Sequence, residues 1–501
     1  MSRLEFGDYQ TPAQLATRVA KLIGSLRPVP KSILEPTCGV GNLLFAALEA
    51  HSFEVARGLE LNPSYAQTAQ ERLPHAEITQ GDFFVQKLDN LFSSLPEPRL
   101  MLANPPWVTS ASIGASGGTN LPNKQNLEQL GGMAARTGKS NFDLSEAMLL
   151  PLLEQIEGTQ DTLMAIIKTI VARKLLKYAA LHDWKIHQSA IYQINAKLDF
   201  GAAVDACVFV CQGSRFQTSY DCAVYASLES PMPSQTITVQ NNTLIADCAA
   251  YQDGRAFLGK SHLEWRSGIK HDCSSLMELK ITALQLENGL GQMVNLEPDC
   301  LYPMLKSSDL GNARTQPRAM MLVSQTFIGE PTTYLPPKTL AYLQQHRTKL
   351  AARGSSIYLK QPEFAIFGVG AYSFSPWKVA ISGLYKHLEF NVVAPHHSKP
   401  MVFDDTCYFL PCQNEAEARL YYALLTTPEA QNALHALIFW DEKRPITKGR
   451  LNQLELAKIA LHTRQNILLA LQKTYPALAV QIQKHWFALE QHATADVPLF
   501  A

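Results

Sequence analysis

Short apolar, β-branched runs alternate with helical segments from Lys31 to about Cys211, and this alternation is the feature that most restricts the fold. It is typical of βαβ units, in which helices cover a parallel-rich sheet. Helical periodicity predicts helices at Pro12–Ser25, Gly41–His51, Pro63–Leu73 and Asp143–Ile156. The predicted strands are Ser32–Leu34, Val55–Leu59, Ala76–Thr79, Leu100–Ala103, Thr162–Thr169, Trp184–Ile191 and Ala206–Cys211. Seven strands of this kind fit a Rossmann-like α/β domain with a seven-stranded sheet.

The pattern changes beyond residue 215. A Ser-, Pro- and Thr-rich stretch from Leu228 to Asn242 is typical of a connection between domains. Short strands and turns then extend to about residue 415, and helices are expected at 415–437 and 451–490. We therefore predict the α/β domain at 1–215, a linker at 216–250 and a mixed α+β domain at 251–501.

Composition excludes several classes of protein. The 501 residues carry 44 Lys and Arg against 44 Asp and Glu, which excludes a uniform basic coat for nucleic acid. No apolar run reaches the ~20 residues that span a bilayer, and the N-terminus has no apolar signal segment. The nine cysteines lack the paired spacing of zinc ligands. We expect a cytoplasmic, monomeric protein with no metal and no membrane partner.

A glycine turn and a helix start follow the first predicted strand. Gly39 and Gly41 would let the backbone pass close under a ligand, with main-chain N–H groups facing it. Alone, such a turn fits a purely structural role equally well. The candidate cofactor contacts of this segment are Glu35, Pro36, Thr37, Cys38, Gly39, Gly41 and Asn42.

Two further acids follow the next predicted strands. Glu60 ends the second strand, where an α/β fold of this type holds a ribose diol. Asp82 follows the third strand and offers an acceptor for an exocyclic amine, while Phe83 offers an apolar face for a purine. Each acid alone is more often a solvated loop residue, but three sites at successive strand ends indicate an adenosine-containing cofactor. S-adenosylmethionine (SAM) fits better than NAD, because the turn lacks the third glycine of a dinucleotide motif and Glu35 precedes it.

The fourth predicted strand ends in Asn104-Pro105-Pro106-Trp107. Prolines are costly inside a central strand, so a proline pair at its end fixes a rigid, extended backbone whose carbonyls stay outside the ladder. In isolation this is a strand-ending turn with a buried tryptophan. In fourth position after the cofactor elements, it predicts the catalytic motif.

With these elements in order, the chain resembles the gamma-class DNA adenine-N6 methyltransferases. That family has a Thr-Pro segment, a SAM motif, an Asn-Pro-Pro-aromatic motif and then a target-recognition domain. Tyr9-Gln10-Thr11-Pro12 stands just ahead of the glycine turn, and the resemblance covers residues 8 to about 212. It implies a SAM-dependent methyltransferase domain, cofactor contacts from Thr11 and Pro12, and DNA target recognition by residues 251–501. The implied partners are double-stranded DNA and a separate cognate restriction endonuclease or defence system.

The resemblance also implies the mechanism. The side-chain oxygen of Asn104 and the main-chain carbonyl of Pro105 would hold the two N–H groups of the target amine. A base inside a duplex is inaccessible, so it must be flipped out and stacked against flat side chains. Trp107 is the predicted stacking face, and Phe200 and Phe142 are further candidates, although core packing explains Phe200 equally well.

A DNA substrate requires local positive charge despite the neutral total. Residues 338–400 carry a net charge of +6, and phosphate contacts from such a segment would position a duplex. A solvated surface role is an equal alternative for several of these cations. The predicted DNA-binding residues are Lys270, Lys360, Lys378, Lys386, Lys443 and Arg444.

Four alternative functions remain open at this point. N4-cytosine methylation uses a chemically equivalent amine, although Asn104 before the proline pair favours adenine. RNA adenine and a protein glutamine amide are other possible acceptors, but the large second domain disfavours the protein substrate. A catalytically inactive DNA-binding relative is the fourth alternative, and the presence of Glu60, Asp82 and Asn104 argues against it.

Overall fold

The computed structural model describes residues 10–108, 143–202, 204–282 and 285–495. The chain divides into two compact units, residues 1–248 and 249–501. The prediction of a linker at 216–250 is wrong, because this stretch supplies three strands to the sheet of the first unit.

The first unit is built on one mixed sheet of ten strands. All seven predicted strands are present, but the predicted seven-stranded sheet is wrong in number because three short strands extend it. The strands at 222–225, 235–240 and 243–245 were not predicted because they lack the long apolar runs of the central strands. The strands are β1 Ser32–Glu35, β2 Val55–Glu60, β3 Glu77–Gln80, β4 Arg99–Ala103, β5 Thr162–Lys168, β6 Ile186–Ile194, β7 Ala206–Gly213, β8 Cys222–Tyr225, β9 Gln235–Gln240 and β10 Thr243–Ile245.

The strand order across this sheet is β10-β9-β8-β6-β7-β5-β4-β1-β2-β3. The five strands β3, β2, β1, β4 and β5 pair in parallel, whereas β7 runs antiparallel to β5 and β6. The carboxyl ends of parallel strands meet at one edge of a sheet. The segments that follow β1, β2, β3 and β4 therefore come together at that edge.

Seven helices lie in the described part of the first unit. Four correspond to the predicted helices, and the helix after β5 was missed because it begins at Thr169 with no turn residue to separate it from the strand. Leu15, Val19 and Ile23 of the first helix are buried in the core beside the sheet. The helices are α1 Ala13–Ile23, α2 Asn42–Ala50, α3 Pro63–Arg72, α4 Leu88–Phe92, α5 Leu144–Ile156, α6 Thr169–Leu181 and α7 Ala196–Phe200.

The second unit contains two smaller sheets, in agreement with the short strands expected from the sequence. One has the order β11-β20-β17-β18 and the other the order β14-β13-β12-β16-β15-β19. Their strands are β11 Arg266–Ser267, β12 Glu278–Ile281, β13 Leu286–Glu287, β14 Met293–Val294, β15 Leu301–Leu305, β16 Ala319–Leu322, β17 Trp377–Ser382, β18 Phe390–Val393, β19 Val402–Phe403 and β20 Cys407–Cys412.

Helices pack against these sheets, and the two longest helices, Leu456–Thr474 and Ala479–Ala495, pack against each other. No helix in the described ranges is long and apolar enough to cross a membrane. The α-helices are α8 Cys248–Gly254, α9 Ser274–Met277, α10 Ser307–Leu310, α11 Pro337–Gln345, α12 Arg347–Ala351, α13 Glu415–Leu425, α14 Pro428–His435, α15 Lys448–Leu451, α16 Leu456–Thr474 and α17 Ala479–Ala495. Single 3₁₀ turns lie at Arg255–Phe257, Pro298–Cys300, Thr332–Tyr334, Ser356–Tyr358, Ala371–Phe374 and Pro476–Leu478.

The core of the second unit depends on an indole from its last helix. Trp486 is fully buried in the cluster that contains Leu424 and Ile482, whereas its neighbour Phe487 is 43% exposed. We expect Trp486→Ala to lower the free energy of unfolding by about 3–5 kcal/mol in urea titrations, because a large cavity remains. The matched control, Phe487→Ala, is expected to cost less than about 1 kcal/mol. Equal losses from the two substitutions would contradict this account.

Candidate active site

The turn between β1 and α2 is built from two glycines in the left-handed region, Gly39 at φ +55° and Gly41 at φ +79°. A Cβ atom on Gly39 would come within 2.3 Å of the Gln10 side-chain oxygen, and one on Gly41 within 2.9 Å of Leu73. The left-handed conformation therefore favours glycine at both positions, whereas the nearby side-chain ends of Gln10 and Leu73 could shift. The two glycines allow the Gln10 and Leu73 side chains to pack directly against the backbone of the turn.

The segment before α1 lies across this turn. The main-chain N–H of Val40 donates to Gln10 Oε1 at 3.1 Å, and the Asn42 side-chain amide donates to the Thr11 carbonyl at 2.8 Å. Pro12 immediately precedes α1. The structure thus brings together the Thr-Pro segment and the glycine turn, which are 30 residues apart in the sequence.

Glu60 joins the ends of β1 and β2. Its Oε2 accepts a hydrogen bond from the Gly39 N–H at 2.8 Å, and its Oε1 accepts one from the Asn62 N–H at 2.7 Å. Glu60 therefore fixes the glycine turn in place with both of its carboxylate oxygens.

Glu35 lies beneath the turn and is only 2% exposed. Burial raises the pKa of its carboxyl well above the ordinary glutamate value, a main-chain N–H from Leu44 opposes that shift, and the nearby Glu60 adds to it. In the described residues, Glu35 Oε2 and the Thr37 hydroxyl are buried oxygens without a hydrogen-bond partner. Cys38 is also buried, and the loss of solvent raises the pKa of its thiol. The residues beneath the turn are therefore shielded from solvent.

Asp82 and Phe83 follow β3 at the same edge. Asp82 Oδ1 accepts a hydrogen bond from the Phe84 N–H at 2.9 Å, which closes a local turn and fixes the carboxylate. Phe83 is buried and its ring meets that of Phe84 edge-on at 5.5 Å. The two residues predicted to contact an adenine are thus held rigidly beside the end of the third strand.

Asn104 begins the segment that follows β4. Its side-chain Nδ2 donates to the Thr11 hydroxyl at 3.0 Å, which fixes the rotation of the amide and turns Oδ1 away from Thr11. Sequence reasoning assigned Thr11 to the cofactor and did not anticipate this contact. Thr11 therefore touches the candidate catalytic side chain as well as the glycine-turn residue Asn42.

The rings of Trp107 and Phe200, the two described residues predicted to stack on a base, contact each other directly. The ring centroids are 4.9 Å apart and the planes are inclined by 64°, so the rings pack edge-to-face. Trp107 is 6% exposed, and its indole N–H donates to the Ile166 carbonyl at 3.2 Å. Phe142, the third predicted stacking residue, lies outside the described residues.

Lys168 is a residue of this edge that sequence reasoning did not select. It ends the apolar strand β5, and its Nζ donates to the main-chain carbonyl of Trp107 at 2.9 Å and to Asp143 Oδ2 at 2.5 Å. A cation at the last position of an otherwise apolar strand was the available signal.

The structure separates the predicted DNA-binding cations into two groups. The prediction for Lys378 is wrong, because this residue is 1% exposed and its ammonium donates to the Ser375 carbonyl at 2.5 Å. Burial lowers the pKa of Lys378 to about 7. Lys270 is held by Asp272 at 2.6 Å, and Arg444 lies 3.9 Å from an Asp405 carboxylate oxygen. The predicted cations that remain exposed are Lys360, Lys386 and Lys443.

Comparisons with known proteins include a match over most of the chain. No protein-family model matches the chain. It is 40% identical over 472 residues to the type II methyltransferase M.NspV of Nostoc sp., which covers 92% of this chain and 98% of that protein. It is 29% identical over 107 residues to the type II methyltransferase M.CvrRI of Paramecium bursaria Chlorella virus XZ-6E, which covers 21% of this chain and 26% of that protein. The solved structure of the type IIL restriction-modification enzyme MmeI in complex with DNA aligns with a TM-score of 0.48 and 12% identity, over 98% of this chain and 73% of that chain.

The buried carboxyl of Glu35 gives a pH-dependent prediction. Because its pKa is raised in the folded chain, the unfolded chain loses this proton first, near the ordinary value of about 4.3. The stability of the wild type relative to Glu35→Gln is therefore expected to fall as pH rises from that value through the folded pKa. Urea titrations between about pH 4 and pH 9 measure this difference. The exposed Glu49→Gln serves as control, and a stability difference between the wild type and Glu35→Gln that does not vary with pH would contradict the assignment.

Proposed function

Because the chain belongs to the type II methyltransferases, we propose that it methylates the exocyclic N6 of adenine in double-stranded DNA. Its methyl donor is S-adenosylmethionine. The observation that carries the proposal is the Asn104 amide, held by Thr11 at the sheet edge where the glycine turn also lies. The order of the Thr-Pro segment, the glycine turn and the Asn104–Trp107 motif supports assignment to the gamma class.

The residues at the sheet edge fit the donor. SAM supplies a methyl group that is already activated by its attachment to a positively charged sulfur. The buried oxygens of Glu35 and Thr37 offer acceptors for its ammonium group. Glu60 offers its carboxylate to the ribose hydroxyls, and Asp82 with Phe83 offers an acceptor and an apolar surface to the adenine. Pro36 and Cys38 are buried and support the turn from below.

Asn104 and Pro105 supply the chemistry of methyl transfer. The adenine amine is a poor nucleophile because its lone pair is delocalised into the ring. Asn104 Oδ1 and the Pro105 carbonyl would accept its two N–H groups and favour a tetrahedral nitrogen whose lone pair is available. These acceptors would stabilise the positive charge that develops on the amine nitrogen as it takes up the methyl group, and the released proton would pass through them to solvent.

Trp107 would receive the target base. An adenine inside a stacked duplex cannot reach the site, so the base is extruded and packs against an aromatic ring. The indole of Trp107 is fixed by Ile166 and braced by Phe200, which suits a rigid stacking surface. Phe142 belongs to the same proposal.

The second unit would recognise the DNA sequence. Its exposed lysines, Lys360, Lys386 and Lys443, suit contacts to phosphates, which position a duplex without reading its sequence. Membership of the type II methyltransferases makes a separate cognate restriction endonuclease the expected partner in the cell.

Asn104→Ala tests the catalytic assignment. We expect it to lower methyl transfer to unmethylated plasmid DNA by at least about a hundredfold, because one of the two acceptors is lost where charge develops. Transfer of tritium from labelled SAM measures the rate. The affinity for SAM, measured by calorimetry, is expected to change by less than about threefold, since Asn104 contacts the target amine. The exposed Asn90→Ala is the matched control, and loss of SAM binding in Asn104→Ala would contradict the role.

The same variant identifies the substrate. Single-molecule sequencing of DNA from cells that express the wild type is expected to show N6-methyladenine within one short sequence, and none in cells that express Asn104→Ala. Detection of N4-methylcytosine at that sequence would identify cytosine, and not adenine, as the target base. Unmodified DNA together with methylated RNA or protein glutamine would refute the proposal.

The dependence of DNA binding on salt tests the exposed lysines. Removal of one phosphate contact lowers the slope of log binding constant against log salt by about one. We expect this change from Lys360→Gln and from Lys386→Gln, measured by fluorescence anisotropy with duplex DNA. Lys378→Met, at the buried position, is expected to leave the slope unchanged. A lower slope in Lys378→Met, with no change in the two other variants, would contradict the structural assignment.

A further inference from the structure

We propose that Lys168 is a positioning residue that holds Trp107 and the end of the Asn104–Trp107 segment in the geometry needed for methyl transfer. The inference rests on the proposed function of that segment. It starts from two contacts of one ammonium group, 2.9 Å to the Trp107 carbonyl and 2.5 Å to Asp143 Oδ2.

The segment needs anchors from outside because of its own composition. Pro105 and Pro106 have no main-chain N–H, so half of the donors that four residues normally use to fix a backbone are missing. The known anchors come from other parts of the unit. Thr11 accepts from the Asn104 amide, and Ile166 accepts from the Trp107 indole. Lys168 adds the donor that fixes the main-chain carbonyl of Trp107.

β5 extends beyond the end of β4, which explains why Ile166 and Lys168 of this strand can both contact Trp107. β4 ends at Ala103, which pairs with Ala165, whereas β5 continues to Lys168. Beyond Ala165, β5 therefore has no β4 neighbour. The carbonyl of Ile166 takes the indole N–H in place of a ladder partner, and the Lys168 side chain reaches the Trp107 backbone.

Asp143 gives the ammonium group its counter-ion and connects it to α5. Its Oδ1 accepts hydrogen bonds from the N–H and the hydroxyl of Ser145, which cap the start of that helix. The Leu144 N–H also donates to the Val108 carbonyl at 2.8 Å. Lys168 thus lies between the residue after the proline pair and a capped helix end, so its position is fixed from both sides.

The ion pair also suits the charge change of the reaction. The target amine gains positive charge in the transition state, and an unpaired ammonium group nearby would oppose this. The Lys168 and Asp143 side chains are only 18% and 10% exposed, so solvent screens them weakly. Asp143 balances the charge, which leaves Lys168 as a hydrogen-bond donor to the backbone with little net field.

The experiment compares Lys168→Met with Lys168→Arg and a control ion pair. We expect Lys168→Met to lower kcat about tenfold to a hundredfold, because small displacements of a positioning element have effects of this size. Its affinity for SAM is expected to stay within about threefold of the wild type, and Lys168→Arg to restore kcat to within about threefold, because it keeps charge and donors. Lys174→Met removes a lysine of α6 that pairs with Glu146 at 2.8 Å, and it is expected to keep the wild-type kcat.

A purely structural ion pair would behave differently. In that case, Lys168→Met would have a lower melting temperature, but its kcat per folded molecule would stay within about twofold of that of Lys174→Met. This result would overturn the proposal. Equal kcat losses in folded Lys168→Met and Lys168→Arg would overturn it as well. If Lys168→Met does not fold, it is replaced by Lys168→Gln, which retains an amide donor without charge. For this variant, too, we expect a lower kcat and an affinity for SAM within about threefold of the wild type.

Failure of this inference is distinguishable from failure of the proposed function. The wild type is assayed in parallel on DNA, and its product is identified by sequencing. A wild type that methylates a different acceptor would refute adenine specificity, and the Lys168 variants would then be compared on that acceptor. A wild type that methylates adenine, beside an unimpaired Lys168→Met, would refute only the role of Lys168.

Discussion

The parallel pairing of β1 with both β2 and β4 is the interaction on which the candidate site depends. The register places Glu35 opposite Gly58 and holds the ends of these strands at one edge. Only in that arrangement does the Gly39 N–H reach the Glu60 carboxylate. A slip of one residue would turn the side chains of a strand to the opposite face, so the register that builds the core also sets the positions of the acids.

The proline pair after β4 imposes the second constraint. It keeps the backbone extended and its carbonyls free of the sheet, which suits acceptors for an amine, but it also removes the donors that would fix the segment. The structure compensates with contacts from distant parts of the sequence. Thr11, which lies 93 residues before Asn104, orients the amide, while Ile166 and Lys168 of β5 hold Trp107. Rigidity of the motif is therefore a property of the whole unit.

Charge in the sequence and charge on the surface proved to be different quantities. The segment 338–400 has a net charge of +6, yet Lys378 is buried, Arg347 pairs with Glu363, and Lys399 donates to the Leu301 carbonyl. A lysine in the buried strand β17 is indistinguishable by composition from one in a loop. Only burial and hydrogen bonding decide which cations can meet a phosphate.

Apolar periodicity and the positions of Gly and Pro act locally, so they were enough to predict the first seven strands, four helices, the glycine turn and the order of the candidate site elements. The other features depend on contacts between distant parts of the chain. Strands β8–β10 are short and half-buried, and they are stabilised by pairing with β6 and with one another rather than by their own composition. The contacts of Thr11 and Lys168 likewise depend on how the parallel strands bring distant residues to one edge, and no local pattern encodes that proximity.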